Sequence, residues 1–197
     1  MIYFDNSATT KNKPAEVIDA VVNAMKNFGN SSRGVHEESL SADRIVFETR
    51  KKLAKMFNVG NSRQVVFTKN ATESLNIAIN GLFSENDHII TSVAEHNSVL
   101  RPINYLKEKG VEVSYIGVSE NGVINFDQIP SLIKSNTKAI VITHASNVTG
   151  NITDLKKYGD FCRNNNFLFV VDASQTAGAF NIDMKEMNID VLCFTGH

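Results

Sequence analysis

Four short polar segments of this sequence follow apolar runs and carry side chains suited to binding a charged ligand. The first is Phe67-Thr-Lys-Asn-Ala-Thr-Glu73, which leads into a predicted helix. Backbone N–H groups at a helix start, beside the Thr72 hydroxyl, could bind a phosphate group. The same residues could instead form an ordinary cap, with Asn70 or Thr72 closing the helix and Glu73 assisting. Taken alone, the segment favours the cap.

The second and third segments offer an imidazole and neutral hydrogen-bond donors. Ser92-Val-Ala-Glu-His-Asn-Ser98 contains His96, which could be a surface histidine or could present its flat ring to a planar ligand. His144-Ala-Ser-Asn-Val-Thr-Gly150 contains Asn147 and Thr149, which could donate to a ligand oxygen or could simply hold a turn. Neither segment is decisive by itself.

The fourth segment, Val170-Val-Asp-Ala-Ser-Gln175, places a carboxylate directly after an apolar run. A buried charge is unfavourable unless it has a partner, so Asp172 requires a cation or a hydrogen-bond donor. Gln175 lies nearby in the sequence, and a further polar cluster, Phe194-Thr-Gly-His197, follows another apolar run.

The elements that position these segments are short β-branched runs alternating with helical patterns. Residues 139–143 and 167–171 are apolar without alternation, which is typical of strands covered on both faces. Such alternation with short connections predicts an α/β fold, a mostly parallel sheet with helices on both faces. The predicted strands are Val65–Thr68, His88–Thr91, Val111–Ile116, Ala139–Thr143, Phe167–Val171 and Val191–Thr195. The predicted helices cover residues 14–28, 37–57, 72–83, 97–109, 127–134 and 154–165.

In parallel sheets of this kind, ligands bind beyond the carboxyl ends of the strands. An anion-binding helix start, a flat ring, a buried acid and polar donors at successive strand ends therefore predict a pocket for a phosphorylated heteroaromatic ligand. Pyridoxal phosphate fits this description. The acid would keep the pyridine nitrogen protonated, so that the ring can act as an electron sink.

Composition argues against several other classes of protein. The 197 residues are 42% apolar and 21% charged, which is typical of a globular protein with a substantial core. A net charge of −1 without a basic block argues against nucleic-acid binding. No apolar run approaches the roughly 20 residues of a membrane-spanning helix, and the N-terminus has no signal-peptide pattern. Cys162 and Cys193 form no CxxC motif, so a cytoplasmic location is expected, and no metal site is predicted.

A set of motifs in a fixed order carries a family resemblance. They are Tyr3–Thr10, Asn30–His36, Phe67–Asn76, Glu95–Ser98, Ser146–Gly150, Asp172–Gln175 and Phe194–His197. As an ordered set over the whole chain, they resemble the class V aminotransferase family of pyridoxal-phosphate enzymes (fold type I). Within that family, the chain is most similar to the cysteine desulfurases and selenocysteine lyases.

The resemblance implies a role for each matching residue. Ala71 and Thr72 would bind the cofactor phosphate through a backbone N–H and a hydroxyl, and Thr195 and His197 would complete the phosphate site. A histidine matching His36 and the segment Asn6–Ala8 lie near the substrate end in the family.

The remaining roles concern the cofactor ring. His96 would stack on the pyridine and, with His36, serve catalysis. Asp172 would pair with the protonated ring nitrogen, and Gln175 would hydrogen-bond the phenolic oxygen. Asn147 would contact that oxygen or the substrate carboxylate.

The sequence also departs from the family pattern. In the family, the residue after the motif's final histidine is the lysine that forms the Schiff base, whereas residues 1–197 stop at His197. Residues 1–13 are therefore expected to be an N-terminal active-site segment, and 14–197 an incomplete cofactor-binding large domain without the C-terminal small domain. Neither Cys162 nor Cys193 matches the family's nucleophilic cysteine, and both are interpreted as packing residues.

The implied activity of the parent protein is removal of sulfur from cysteine, or selenium from selenocysteine, to give alanine. Residues 1–197 alone are expected to be inactive because the lysine is missing. Alternatives are a class V transaminase or another lyase acting on a small amino acid, and a non-catalytic fragment. A nucleotide-binding domain is disfavoured, because no GxGxxG follows the first strand and no GxxxxGK[ST] occurs. The resemblance implies a homodimer and, for iron–sulfur cluster supply, a sulfur-acceptor protein.

Overall fold

The computed structural model describes residues 2–29 and 37–196; for 37–39 it describes the backbone only. The described residues up to Val66 form one compact unit and Phe67–Gly196 form another. Every predicted site residue that the structure describes lies in the second unit, apart from the segment Asn6–Ala8.

The second unit is built on a five-stranded parallel sheet. Its strands lie in the order β2-β1-β3-β4-β5. The bounds are β1 His88–Ser92, β2 Glu112–Ile116, β3 Thr137–Thr143, β4 Leu168–Asp172 and β5 Val191–Cys193. All five were predicted from apolar runs, with ends that differ by no more than two residues.

The central strands are buried on both faces, as their unbroken apolar runs predict. Ile89 and Ile90 in β1, and Ile140 and Val141 in β3, have no exposed surface although neighbouring residues point to opposite faces. Burying such side chains from both faces is the main favourable contribution to folding.

Helices cover both faces of this sheet. On one face, α3 (Ala71–Leu82) packs against α4 (Asn97–Glu108), and their apolar residues share a core cluster with Ile89, Val141 and Val170. On the other face lies α6 (Leu155–Asn164), where the Tyr158 and Phe169 rings stack with centroids 6.4 Å apart. The predicted α/β fold with helices on both faces is confirmed.

Gly159 allows α6 to approach the segment before β5. A Cβ atom at Gly159 would lie 1.8 Å from the backbone oxygen of Met187, far inside van der Waals contact. A side chain there would force the helix away from the chain.

Two further helical regions complete the described elements. The predicted helix at 127–134 is a 3-10 turn, Phe126–Gln128, followed by the short α5, Ile129–Leu132. In the first unit, α1 (Ala15–Asn27) begins directly after Pro14 and has no buried residue, and α2 spans Glu37–Met56. None of the helices within 2–29 and 37–196 has the length and apolar character that crossing a membrane requires.

The predicted strand Val65–Thr68 is wrong. Val65 has an extended backbone, but it follows a 3-10 turn, Ser62–Gln64, and no described strand pairs with it. Val66 is 71% exposed and Phe67 45% exposed. An extended apolar segment becomes a strand only when a neighbouring strand takes up its backbone hydrogen bonds, which local sequence does not specify.

Candidate active site

The carboxyl ends of four strands bring the predicted site segments to one edge of the sheet. Ser92 ends β1, Thr143 of β3 pairs in register with Asp172 of β4, and Asp172 pairs with Cys193 of β5. Neighbouring strands lie about 4.8 Å apart, so the ends of β1 and β5 are separated by roughly 15 Å. Side chains that follow these strands can therefore contact one small ligand.

The start of α3 is both capped and open. Asn70 Oδ1 accepts from the Glu73 amide at 2.9 Å, and Glu73 Oε2 accepts from the Lys69 amide at 2.6 Å, which is a capping-box arrangement. The amide groups of Ala71 and Thr72 have no hydrogen-bond acceptor within the described part of the chain. The cap therefore leaves two amides open, so the two alternatives from the sequence, a cap and an anion-binding start, do not exclude each other.

The helix α3 packs against strand β5. Burial raises the pKa of the Cys193 thiol at the end of β5, and the nearby Ser74 side chain, in the first turn of α3, partly opposes this. Because Cys193 is the register partner of Asp172, the open amides and the buried acid lie on the same side of the site.

Asp172 is a buried carboxylate, 3% exposed, and both of its described side-chain hydrogen bonds come from Ser174. Its Oδ1 accepts from the Ser174 amide at 3.0 Å and from the Ser174 hydroxyl at 2.5 Å. No cationic side chain within residues 2–29 and 37–196 forms an ion pair with it. A buried acid with hydrogen bonds but no cation is suited to a positively charged ligand group.

His96 is exposed and forms the N-cap of α4. Its Nδ1 accepts from the Ser98 amide at 3.1 Å and lies 2.7 Å from the Ser98 hydroxyl oxygen. An Nδ1 that accepts a hydrogen bond carries no proton, so the neutral ring has its proton on Nε2. The cap therefore fixes the tautomer and leaves the ring face and Nε2 accessible.

The loop after β3 is organised by Ser146, which the sequence analysis did not single out. The Ser146 hydroxyl oxygen accepts from the amides of Val148 and Thr149, both at 3.2 Å, and its carbonyl accepts from Gly150 at 2.9 Å. Asn147 is exposed at the tip of this loop. A serine whose hydroxyl accepts from the backbone amides two and three residues later is typical of such a turn, so a serine at the start of a loop is the signal in the sequence.

Of the remaining predicted residues, some lie within the described part of the chain and others lie outside it. Gln175 is half-buried in the turn after Asp172, and Thr195 is half-buried just beyond β5. His36 and His197 lie outside the described residues. The segment Asn6–Ala8 belongs to the first unit, where the Ala8 amide donates to the Asp5 carbonyl in a turn.

Glu95, next to His96, received no role in the sequence analysis, yet the structure buries it to 6% exposure. The Ser92 hydroxyl donates to its Oε1 at 2.5 Å. Burial raises the pKa of Glu95 to about 8, and the negative charge of Asp172 adds to this effect. No local pattern identifies it, because its burial depends on contacts with Ser92 and with a residue of another strand.

Two other buried groups are structural. His144 joins the end of β3 to the turn after β4 through Nδ1, 2.8 Å from the Thr176 hydroxyl oxygen, and burial lowers its pKa. Cys162 is buried in α6, and burial raises the pKa of its thiol to about 12. An inert buried thiol agrees with its interpretation as a packing residue.

The described residues provide groups that match pyridoxal phosphate part by part. Free amides at a helix start suit the phosphate, an exposed ring suits the pyridine face, and a buried acid without a cation suits the protonated ring nitrogen. The chemistry of the donors therefore fits this cofactor.

Comparison with known proteins agrees with the geometry. The class V aminotransferase family model matches residues 2–197. The chain is 36% identical over 203 residues to the cysteine desulfurase IscS of Buchnera aphidicola subsp. Baizongia pistaciae, covering 100% of this chain and 50% of that protein. It is 34% identical over 201 residues to a probable mitochondrial cysteine desulfurase of Dictyostelium discoideum, covering 100% of this chain and 44% of that protein.

A solved structure shows the same fold. The apo structure of a cysteine desulfurase from Thermococcus onnurineus superposes with a TM-score of 0.92 at 34% identity, covering 100% of this chain and 50% of that one. The chain spans about half the length of the curated relatives it matches. Both the family match and the fold extend over essentially all of residues 1–197, and the chain therefore belongs to the class V aminotransferase family of pyridoxal-phosphate enzymes.

Proposed function

We propose that the edge formed by the carboxyl ends of β1, β3, β4 and β5 binds pyridoxal phosphate, and that the protein to which this chain belongs releases sulfur from cysteine to give alanine. Selenocysteine is a second substrate of the same class, with selenium as the released atom. The observation that carries the proposal is Asp172, a buried carboxylate without a cationic partner in the described chain, at the end of a central strand.

Asp172 and the helix start would hold the two ends of the cofactor. Ala71 and Thr72 offer amides and a hydroxyl to the phosphate, and Thr195 with His197 would complete that end. Asp172 would keep the ring nitrogen protonated. The bound cofactor supplies an electron sink, which withdraws electrons from bonds at the α-carbon of an attached amino acid.

His96, Asn147 and Gln175 would act around the ring. The cap on Nδ1 leaves the His96 ring face free to stack and its Nε2 free to exchange a proton with substrate. Gln175 would donate to the phenolic oxygen of the cofactor. Asn147 would contact that oxygen or the substrate carboxylate, and His36 and Asn6–Ala8 would lie toward the substrate.

Other features of the whole protein extend this proposal. Residues 1–197 contain no lysine directly after a Thr-Gly-His motif, so we expect these residues alone to be inactive. We propose a homodimer located in the cytoplasm, with a sulfur-acceptor protein as partner. The names of the relatives, which are cysteine desulfurases, support the sulfur chemistry.

The proposal is tested with the full-length protein, purified with and without added pyridoxal phosphate. We expect a yellow protein that releases sulfide and alanine from cysteine in equal amounts. Asp172→Asn should lose both colour and activity, whereas Asp160→Asn, a change on the exposed side of α6, should lose neither. Transamination of cysteine without sulfide would contradict the reaction but not the cofactor site, and absence of cofactor binding would contradict both.

A further inference from the structure

Glu95 is buried within a turn whose neighbouring side chains are exposed. Val93 is 53% exposed and His96 is exposed, whereas Glu95 is 6% exposed. The turn connects the last residue of β1 to the first residue of α4, so its conformation determines where His96 stands. Because burying a carboxyl group costs free energy unless it is hydrogen-bonded, the burial of Glu95 in this short connection calls for a physical explanation.

The Glu95 side chain closes this turn from within. The Ser92 hydroxyl donates to Glu95 Oε1 at 2.5 Å, and the same hydroxyl oxygen accepts from the Ala94 amide at 3.2 Å. Glu95 therefore anchors the serine that holds the turn. One residue later, His96 Nδ1 accepts from the Ser98 amide, so the anchored turn leads directly into the cap of α4.

The surroundings of Glu95 disfavour a negative charge. Burial, with a smaller contribution from Asp172 of β4, raises its pKa to about 8 even though the Ser92 hydroxyl and the Thr143 amide act in the opposite direction. Tyr158 of α6 is close enough that the two groups influence each other's charge. Glu95 Oε2 and the Tyr158 hydroxyl are both buried without a hydrogen bond of normal geometry in the described chain.

We propose that Glu95 is a positioning residue, whose uncharged carboxyl group anchors Ser92 and so holds His96 in place at the cofactor edge. The inference rests on the proposed function for its consequence in catalysis, but the positioning itself is a property of the protein without cofactor.

The consequence is that the position of His96 depends on pH. Above the pH at which Glu95 ionises, its buried charge has no cation beside it and is stabilised only if the side chain becomes hydrated. Hydration of Glu95 would release Ser92 and loosen the turn that carries His96. The titratable groups that act on Glu95 are Asp172 from β4 and Tyr158 from α6, whereas the ring of the adjacent His96 is exposed and hydrogen-bonded to Ser98. Asp172 and Tyr158 are acids, so neither can neutralise the charge.

The test uses the full-length protein freed of cofactor, with the Ser98 amide resonance as the readout of the His96 cap. It compares the wild type with Glu95→Gln, Glu95→Ala and Glu108→Gln, a control in the exposed last turn of α4. From about pH 6 to about pH 9 we expect a shift of this resonance in the wild type and the control, with a midpoint about pH 8. Glu95→Gln should keep the low-pH position throughout, and Glu95→Ala should never show it.

Cofactor affinity provides a second readout, separate from activity. We expect Glu95→Ala to weaken binding of pyridoxal phosphate about tenfold and Glu95→Gln to stay within about twofold of the wild type at neutral pH. A Ser98 resonance that does not move with pH in the wild type, or that still moves in Glu95→Gln, would overturn the inference. Failure of the wild type to bind the cofactor would instead count against the proposed function alone.

Discussion

An ionisable side chain is buried near each end of strand β1, and the two side chains differ in how completely they are hydrogen-bonded. At the amino end, His88 has no exposed surface, and its ring nitrogens lie 2.7 Å from the Thr137 hydroxyl and 2.9 Å from the Ser114 hydroxyl. At the carboxyl end, Glu95 has one oxygen bound by Ser92 and one without a partner in the described chain.

The same contrast extends beyond these two residues. Around the amino end, surface charges are paired, as in the ion pairs Lys138–Asp87 at 2.7 Å and Lys134–Glu112 at 2.5 Å. At the carboxyl end, the Ala71 and Thr72 amides and the buried Asp172 lack such partners among the described residues. Satisfied polar groups indicate a structural end of the sheet, and unsatisfied ones indicate the end that binds a ligand.

The largest effect is expected at Asp172, because we propose that its charge serves the ligand and not the fold. Asp172→Asn in the full-length protein should reduce turnover of cysteine by about a thousandfold, since the electron-sink function depends on the protonated ring nitrogen. Removing a buried charge should leave the free energy of unfolding equal or higher. Sulfide release measures the expected loss of turnover, and urea unfolding measures the expected stability. A variant with a lower free energy of unfolding would mean that Asp172 stabilises the fold.

At His88 the opposite result is expected. His88→Ala should lower the free energy of unfolding by about 2–4 kcal/mol, because it leaves a cavity and removes the hydrogen bonds to two half-buried hydroxyls, those of Thr137 and Ser114. Binding of pyridoxal phosphate should be unchanged in the folded variant. Denaturant titration and cofactor titration check these values, and a His88→Ala protein with native stability would remove the distinction between the two ends.

The Glu95 and His88 groups also give opposite dependences of stability on pH. Burial raises the pKa of Glu95 from 4.5 to about 8, so the folded state binds its proton more tightly than the unfolded state, and stability falls as pH rises through this range. Burial lowers the pKa of His88 below 6.5, so its contribution is present above that pH and is lost as the pH falls.

Glu95→Gln isolates the first of these effects. The substitution should raise the free energy of unfolding at about pH 8.5 by about 1–3 kcal/mol relative to the wild type, and by less at about pH 5. Urea unfolding at the two pH values measures the difference, with Glu108→Gln as the control. A destabilised Gln variant at the higher pH would mean that a charged Glu95 stabilises the folded protein, contrary to this account.

The smallest effect is expected at the helix start. Thr72→Val removes a hydroxyl but keeps both amides, so affinity for pyridoxal phosphate should fall by about fivefold to tenfold, equivalent to about 1 kcal/mol. Isothermal titration with the cofactor measures this loss. Thr49→Val, where the hydroxyl donates to the Ile45 carbonyl within α2, is a matched control that should show a much smaller change.

Sequence patterns predicted the sheet well because each buried strand is specified by its own apolar residues. The five strands around Ile89, Ile140 and Val170 required no knowledge of their neighbours. Residues 65–68 carry an equally apolar pattern but form no strand, because pairing depends on a partner and not on local composition.

The site was predictable only in part, for a related physical reason. Asp172 could be identified because a charge at the end of an apolar strand is conspicuous in the sequence. Glu95 could not, since its burial depends on Ser92 and on the approach of Asp172 from another strand. Whether the amides of α3 are used by the cap or remain open also depended on the geometry of Asn70 and Glu73.

The most direct test of the central claim is hydrogen–deuterium exchange of the full-length protein with and without pyridoxal phosphate. The result expected is slower exchange on cofactor binding in peptides containing Ala71–Thr72, His96–Ser98 and Asp172–Gln175. Peptides at the amino ends of the strands, around His88 and Thr137, should not change. Protection confined to the amino ends, or no protection at the carboxyl ends, would contradict the assignment of the cofactor site.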